Sequence, residues 1–293
     1  MPLPSLLLAL SVVIVWGLSF AAIKFGVDEL PPLFLTALRF LLAALPAVFF
    51  VPKPAVAWRS IAGFGFILGV VKFSAMFLAI KAGLPTGLSS ILIQTQAFFT
   101  IAFAALMFRE RPTRIQLTGA AVAFAGVCLI AVSKATPVPL GTVLLVLFAA
   151  VCWGLANMVA KAAGRTDMLA FIIWSSLIPP IPLFCLSLIF EGPGAIAHSV
   201  LTASWRAWAA TAYMIYGATL FGFSAWNSLL SRHSTASVAP FGLLVPIVGM
   251  LVGGLLLGEA MPPELIAGGL IVLAGLSLTL FGERLIARLR AAA

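Results

Sequence analysis

The sequence predicts an all-α integral membrane protein of ten transmembrane helices, arranged as a 5+5 inverted repeat. Three observations carry this reading. The 293-residue chain is 63% hydrophobic and 9% charged, with a mean hydropathy of +1.20, whereas soluble domains are about 45–50% apolar and about 25% charged. Its apolar residues fall in runs close to the roughly 20 residues that a bilayer core asks of one helix. A Trp-Gly pair with lysine eight residues after the tryptophan also occurs twice, as Trp16-Gly17 to Lys24 and Trp153-Gly154 to Lys161. The copies are 137 residues apart, close to half the chain, which points to a duplicated unit.

In lipid every backbone N–H and C=O needs an internal partner, and runs this long without alternation exclude barrel strands. The first span, 4–26, lacks a basic leader and is long enough to cross, so it is expected to be a retained helix rather than a cleaved signal. Asp28-Glu29-Leu30-Pro31-Pro32 ends it, and the second span, 31–51, stops at Pro52-Lys53-Pro54. The third span is 60–82. The fourth, 86–108, runs into Arg109-Glu110-Arg111-Pro112, and the fifth is 114–133. The sixth, 140–162, carries the second Trp-Gly pair, and the seventh, 168–190, ends before Gly192-Pro193-Gly194. The eighth, ninth and tenth are expected at 206–230, 235–257 and 263–282, with 283–290 as an amphipathic extension held near anionic lipid. The connectors are short, which leaves one membrane domain of two halves, 1–135 and 136–293.

Lysine and arginine set the orientation. With a cytoplasmic N-terminus, the inner side holds Lys53, Arg59, Arg109, Arg111, Arg114, Lys161, Arg165, Arg232, Arg284, Arg288 and Arg290. The outer side then holds Lys24, Lys81, Lys134 and Arg206, so the positive-inside rule places both termini in the cytoplasm. Five spans precede the second Trp-Gly helix, so it crosses in the opposite sense to the first. Inverted halves of this kind commonly carry the substrate site at their interface. The net charge of +9 is thereby spent on topology, and nucleic acid is not an expected partner.

Ionisable groups inside a bilayer are costly and mark functional positions. Lys72 in span three lies roughly 15 Å from either surface at 1.5 Å per residue, too deep for easy snorkelling. It either meets an internal partner such as a backbone carbonyl or faces a cavity and attracts a substrate carboxylate. Arg39, nearer the outer end of span two, reads as a snorkelling or tethering residue, and Lys24, Lys81 and Lys161 read as interfacial anchors. The eight acids Asp28, Glu29, Glu110, Asp167, Glu191, Glu259, Glu264 and Glu283 all lie at loops or span ends. Proton-coupled export of cationic drugs typically uses an intramembrane carboxylate, so facilitated movement is the expected mode.

Uncharged candidates for a cavity lining are Gln94, Gln96, Asn157 and Asn227, whose amides can alternatively join helices. Phe73, Met76, Phe77, Phe99, Trp174, Tyr213, Tyr216 and Trp226 are candidates for walling a side chain, with Trp16 and Trp153 singled out by the repeat. Gly65 with Gly69, Gly249 with Gly253 and Gly254 with Gly258 have the GxxxG spacing of close helix contacts. Pro240, Pro246 and Gly249 are expected to bend span nine as a hinge or gate. Glu110 and Glu259 each precede a proline-marked helix start and are expected to cap that next helix at the corner.

These residues give the chain its resemblance. Trp16-Gly17-Leu18-Ser19-Phe20 to Lys24, Pro31-Pro32, Leu38-Arg39-Phe40 with Leu45-Pro46, the Glu110 corner, Trp153-Gly154, and the stretch from Ala239-Pro240-Phe241-Gly242-Leu243-Leu244-Val245-Pro246 to Gly258-Glu259 resemble the drug/metabolite transporter superfamily. Within it the chain is similar to the EamA-like exporters, nearest to the aromatic amino acid exporters of the YddG type. The resemblance spans nearly the whole chain. It implies a basket-like fold with a central cavity, a bacterial inner membrane location, and export of amino acids or related metabolites by alternating access. A proton-coupled exporter of nucleosides or organic cations is the alternative within the same class.

Other classes lack their chemistry. No nucleophile–base pair, phosphate loop or ATP-binding motif appears, and His198 and His233 lie in loops, which argues against an intramembrane enzyme. A channel would show polar stripes or a charged ring. Cys128, Cys152 and Cys185 sit in apolar segments without CxxC spacing, so neither a disulfide framework nor a zinc site is expected. The expected partners are a small-molecule substrate and the bilayer, with no cofactor and no metal. Nothing in the sequence requires more than a monomer.

Overall fold

A computed structural model describes residues 2–109, 111–132, 138–164, 166–232, 238, 241–242 and 244–292, and among them every regular element is helical. The first half begins with α1 (Leu3–Glu29) and α2 (Pro32–Ala44). Then follow α3 (Trp58–Lys81), α4 (Thr86–Phe108) and α5 (Arg114–Val132). The second half holds α6 (Leu140–Ala162), α7 (Met168–Phe190), α8 (Pro193–Thr202), α9 (205–232), α10 (Val245–Leu257) and α11 (Pro263–Ala292). Six of the described helices are long and apolar enough to cross a bilayer: α1, α2 with its 3-10 extension to Phe49, α3, α4, α6 and α7. Shorter apolar helices cover Arg114–Ile130, Val245–Leu257 and Pro263–Thr279.

Several expectations need correction. The connector after Glu191 folds as α8 rather than a loop. Gly192 takes a positive φ of 84°, and Pro193 stands in the first helical turn, where its missing N–H costs nothing. The breaker residues that end α7 therefore also start the next helix. Pro246 does not kink the middle of a helix, because α10 begins at Val245 and the proline lies in its opening turn. Pro240 lies outside the described residues. Gly254 faces open space, and Gly258 is a left-handed C-cap, so that GxxxG pair does not make a helix contact.

Two π-helical segments were not foreseen. Gly65–Lys72 forms one within α3, and Tyr213–Phe221 forms the other within α9. They occupy the third helix of the first half and the corresponding eighth predicted span. The wider turn leaves carbonyls without their usual i−4 partner, and such bulges concentrate at functional positions. In α9 the Thr219 hydroxyl donates to the Met214 carbonyl at 2.9 Å, five residues back.

Carboxylates at helix ends clamp distant helix starts. Glu259 does not cap the helix that follows it. Its two oxygens accept the N–H groups of Thr86 (2.6 Å) and Gly87 (3.1 Å) at the head of α4. Gly253 leaves the room, since a Cβ there would collide with that carboxylate. Glu191 likewise accepts from Leu33 N–H (2.8 Å) and Phe34 N–H (3.0 Å) at the head of α2. Glu29 accepts from the Ser204 backbone N–H (2.5 Å) and hydroxyl (2.7 Å) just before α9. In each case an anion meets the positive end of a helix dipole and satisfies orphan donors. Glu110 lies outside the described residues.

Glycine lets the repeated tryptophan helices approach their neighbours. A Cβ at Gly17 of α1 would strike Val248 of α10, and one at Gly154 of α6 would strike Phe99 and Thr100 of α4. The most extensive helix pair is α5 with α11. There Gly119 and Gly126 face Gly275 and Gly268, with backbone on each side where a Cβ would sit. The core proper gathers α1, α3, α4, α6 and α9 around Phe20, Ile23, Phe77, Leu92 and Met214.

A candidate substrate cavity

The helices that meet around this core leave a partly open cavity of about 330 Å³. From α1 it takes Trp16, Ser19, Phe20 and Ile23, and from α2 it takes Arg39. Lys72, Phe73 and Met76 come from α3, and Ser90, Ile93, Gln94 and Gln96 from α4. The second half supplies Trp153 of α6, Ala218, Phe223 and Trp226 of α9, Gly242, and Val245 of α10.

Two cations dominate the lining. Lys72 is the last residue of the α3 π segment and is 3% exposed. Its Nζ lies 3.5 Å from the centroid of the Phe73 ring and 4.5 Å from that of Trp153. Arg39 is 6% exposed, and its Cζ lies 4.4 Å from the same Phe73 ring. The arginine Nη2 donates to the Thr219 hydroxyl at 3.3 Å, tying α2 to the π segment of α9. Its Nε has no hydrogen-bond partner among the described residues. No acidic side chain among the described residues lines the cavity. Aromatic faces stabilise a desolvated cation by about 2 kcal/mol, well short of replacing a counter-ion, so the arrangement favours an incoming anion.

Aromatic side chains wall the rest. The Trp16 indole N–H donates at 2.9 Å to the Ala218 carbonyl, inside the α9 π segment. Its ring packs against Phe223 (5.6 Å) and Trp226 (5.3 Å). Phe73 stands edge-on to Phe40 and Phe77. Polar groups complete the lining: the Gln94 amide donates to the Gly242 carbonyl at 3.2 Å. Ser90 donates to the Gly87 carbonyl at 2.6 Å and lies 3.3 Å from the Pro246 carbonyl. The site is thus apolar and aromatic with a few converging polar groups, the usual make-up of a small-molecule pocket.

Of the residues singled out from the sequence, the cavity gathers Trp16, Lys72, Phe73, Met76, Gln94, Gln96, Trp153 and Trp226, whereas Tyr216 is exposed. The others go elsewhere. Phe77 is fully buried behind Phe73, and Phe99 packs on Gly154. Trp174 donates its indole N–H to the Val51 carbonyl (3.0 Å) and stacks edge-on against Trp58. Tyr213 donates to the Val15 carbonyl (2.9 Å) beside a separate apolar cleft between α1 and α9. Asn157 lines a second, neighbouring cavity. Gly249 is wedged against Ser90 with no room for a Cβ, a packing contact rather than a free hinge. The side chain of Asn227 lies outside the described residues. Lys24 pairs with Asp28 at 2.5 Å, as suits an interfacial anchor.

Arg39 is the residue that the sequence undervalued. It does tether helices, as expected, but it also faces the cavity. The available signal was its pairing with Lys72 as the two cations well inside predicted spans, with no acid at mid-span. Phe223 carried no signal, since one aromatic in an apolar helix reads like the next.

The EamA-like transporter family matches the chain twice, over residues 3–132 and 140–281. A probable amino-acid metabolite efflux pump of Salmonella typhimurium is 40% identical over 283 residues, covering 94% of this chain and 95% of the relative. A protein of the same name in Escherichia coli K12 is 39% identical with the same coverage. One solved crystal structure shares the fold at a TM-score of 0.63 and 17% identity, over 94% of this chain and 96% of that one.

Proposed function

This chain belongs to the EamA-like transporter family, and from that premise we propose that it exports amino acids or closely related carboxylate-bearing metabolites from the bacterial cytoplasm. It is a transporter rather than an enzyme. The observation that carries the cargo assignment is the pair Lys72 and Arg39, two buried cations sharing the Phe73 ring in a cavity with no described acid. A substrate carboxylate supplies the missing counter-charge, and charge-assisted hydrogen bonds of this type are about twice as strong as neutral ones. The wall of Trp16, Trp153, Phe73 and Trp226 then receives the apolar side chain. At about 330 Å³ the cavity falls at the low end of the roughly 300–1,000 Å³ of small-molecule sites, a size for metabolites rather than large drugs. The names of the 40% and 39% identical relatives agree with this cargo.

The proposed mechanism is alternating access between two inverted five-helix halves, 1–135 and 136–293, with both termini in the cytoplasm. Three features support it: the double family match, the two π segments in corresponding helices, and the reciprocal packing of Gly17 on α10 and Gly154 on α4. Cavity residues from both halves fit a site at their interface. Movement is facilitated, driven by the substrate gradient, because no described carboxylate stands in the cavity to exchange a proton against cargo. Organic cations are disfavoured by the same two positive charges.

The test is counterflow in proteoliposomes with radiolabelled amino acids, nucleosides and organic cations. Saturable exchange confined to carboxylate-bearing compounds is expected. Exchange of organic cations with amino acids excluded would overturn the assignment.

A further inference from the structure

A free amino acid brings two charges to the central cavity, and only one of them finds a complement there. Lys72 Nζ and Arg39 Cζ lie 3.5 Å and 4.4 Å from the centroid of one Phe73 ring. The two positive groups therefore stand no farther apart than those distances laid end to end. Both side chains are buried, and Arg39 Nε has no hydrogen-bond partner among the described residues. A carboxylate that meets them can supply a counter-charge to both and an acceptor for that N–H.

An α-ammonium group has no such receiver. The sequence holds no Asp or Glu between Glu29 and Glu110, between Glu110 and Asp167, or between Glu191 and Glu259. Those stretches contain α2, α3, α4, α6, α9 and α10. The remaining lining helix, α1, carries acids only in its last turn, where Asp28 pairs with Lys24 and Glu29 accepts from Ser204. The polar groups left in the lining are neutral. The Ser19 hydroxyl donates to the Trp16 carbonyl at 2.6 Å, and the Gln94 amide and Ser90 hydroxyl also donate to backbone carbonyls. Their oxygens can accept from a donor but offer no counter-charge. Aromatic faces attract cations, yet Phe73 already faces both Lys72 and Arg39, and Trp153 faces Lys72. An ammonium group in this cavity loses its hydration without an anion to replace it, and it meets two like charges.

We infer that the cavity selects carboxylates whose α-nitrogen is uncharged or missing. These are amino acids acylated on nitrogen and their desamino analogues, bound in preference to the free zwitterions. A zwitterion leaves the site as positive as it found it, whereas a simple carboxylate cancels one of its two charges. An acylated nitrogen keeps a neutral N–H, which suits the neutral oxygens of Ser19, Gln94 and Ser90. Free amino acids remain cargo and bind more weakly. The inference rests on the carboxylate reading of this cavity and narrows the class of carboxylate that fits it.

Equilibrium binding to the detergent-purified wild-type chain tests this. Tritiated indole-3-propionate is the labelled probe, and unlabelled indole-3-propionate, N-acetyltryptophan, tryptophan and tryptamine compete for it. The four share the indole and differ in the carboxylate and in the charge on nitrogen. Indole-3-propionate and N-acetyltryptophan should each bind about tenfold more tightly than tryptophan, and tryptamine should not compete. A merely apolar pocket would also favour the less polar compounds, and Lys72→Met separates the two causes. In that variant the preference over tryptophan should shrink towards unity, because the charge that attracts the carboxylate also repels the ammonium. Tryptophan binding as tightly as indole-3-propionate, with tryptamine still excluded, would overturn the inference and leave the carboxylate reading in place. An undiminished preference in Lys72→Met would overturn it too, by placing its origin outside the cation pair. Competition by tryptamine equal to that of indole-3-propionate would overturn the carboxylate reading itself, and the inference with it.

Discussion

Lys72 and Arg39 approach Phe73 from two different helices, and neither has an acidic partner among the described residues of the cavity they share. Replacing Lys72 with Met keeps much of the stem and removes the charge, so binding of a carboxylate substrate should weaken by roughly ten- to a hundredfold, the worth of about 1.5–3 kcal/mol for a charged hydrogen bond. Lys72→Arg should retain part of it. Radiolabelled substrate binding to detergent-purified protein checks both, and equal affinities across the three proteins would remove Lys72 from the site. Arg39→Lys separates the other cation's two roles. A lysine cannot reproduce the planar fork that reaches Thr219 while lying over Phe73. Affinity should therefore fall less than for Arg39→Met while thermal stability falls for both. Lys72 and the repeated tryptophans were legible from the sequence because depth and duplication are linear properties. Tyr213 and Trp174 were not correctly placed, because a helix apolar on every side does not declare which face turns inward.

Helix ends in this fold are held by carboxylates from far along the chain. Glu259 satisfies two donors at the start of α4, and Glu259→Ala should lower stability by about 1–2 kcal/mol through the lost cap and dipole interaction. Fluorescence-detected size-exclusion after heating measures this, and an unshifted melting midpoint would show the clamp to be dispensable. From sequence alone Glu259 was expected to cap the helix beginning at Pro263, since the adjacent start is the only one that local spacing can see. The α5–α11 pair makes a second case. Its facing glycines, Gly119 and Gly126 against Gly275 and Gly268, repeat every seven residues, a spacing the GxxxG pattern passes over. Gly126→Leu should force the pair apart at a cost of about 1–3 kcal/mol, seen as a lower melting midpoint or loss of monodisperse protein. The π segments were invisible beforehand, because they depend on how α3 and α9 settle against their neighbours and not on residue composition.

For the whole molecule, composition and the spacing of apolar runs already specified a helical membrane protein, and the two Trp-Gly pairs pointed to a duplicated architecture. Their tryptophans do line one cavity, with Trp16 against the α9 π segment and Trp153 beside Lys72. The cavity's shape arises from packing between distant segments, which no linear pattern carries. Orientation follows from the distribution of basic residues, so a fluorescent protein fused to the C-terminus should fold and fluoresce, whereas alkaline phosphatase at that position should stay inactive. The central claim is that a buried pair of cations selects a carboxylate. It is tested most directly by counterflow of tryptophan against tryptamine, which differ by that group, in proteoliposomes bearing the wild-type chain or Lys72→Met. The account predicts saturable exchange of tryptophan but not tryptamine by the wild type, and collapse of that preference in the variant. Equal exchange of the two compounds by the wild type, or an unaltered preference in Lys72→Met, would contradict it.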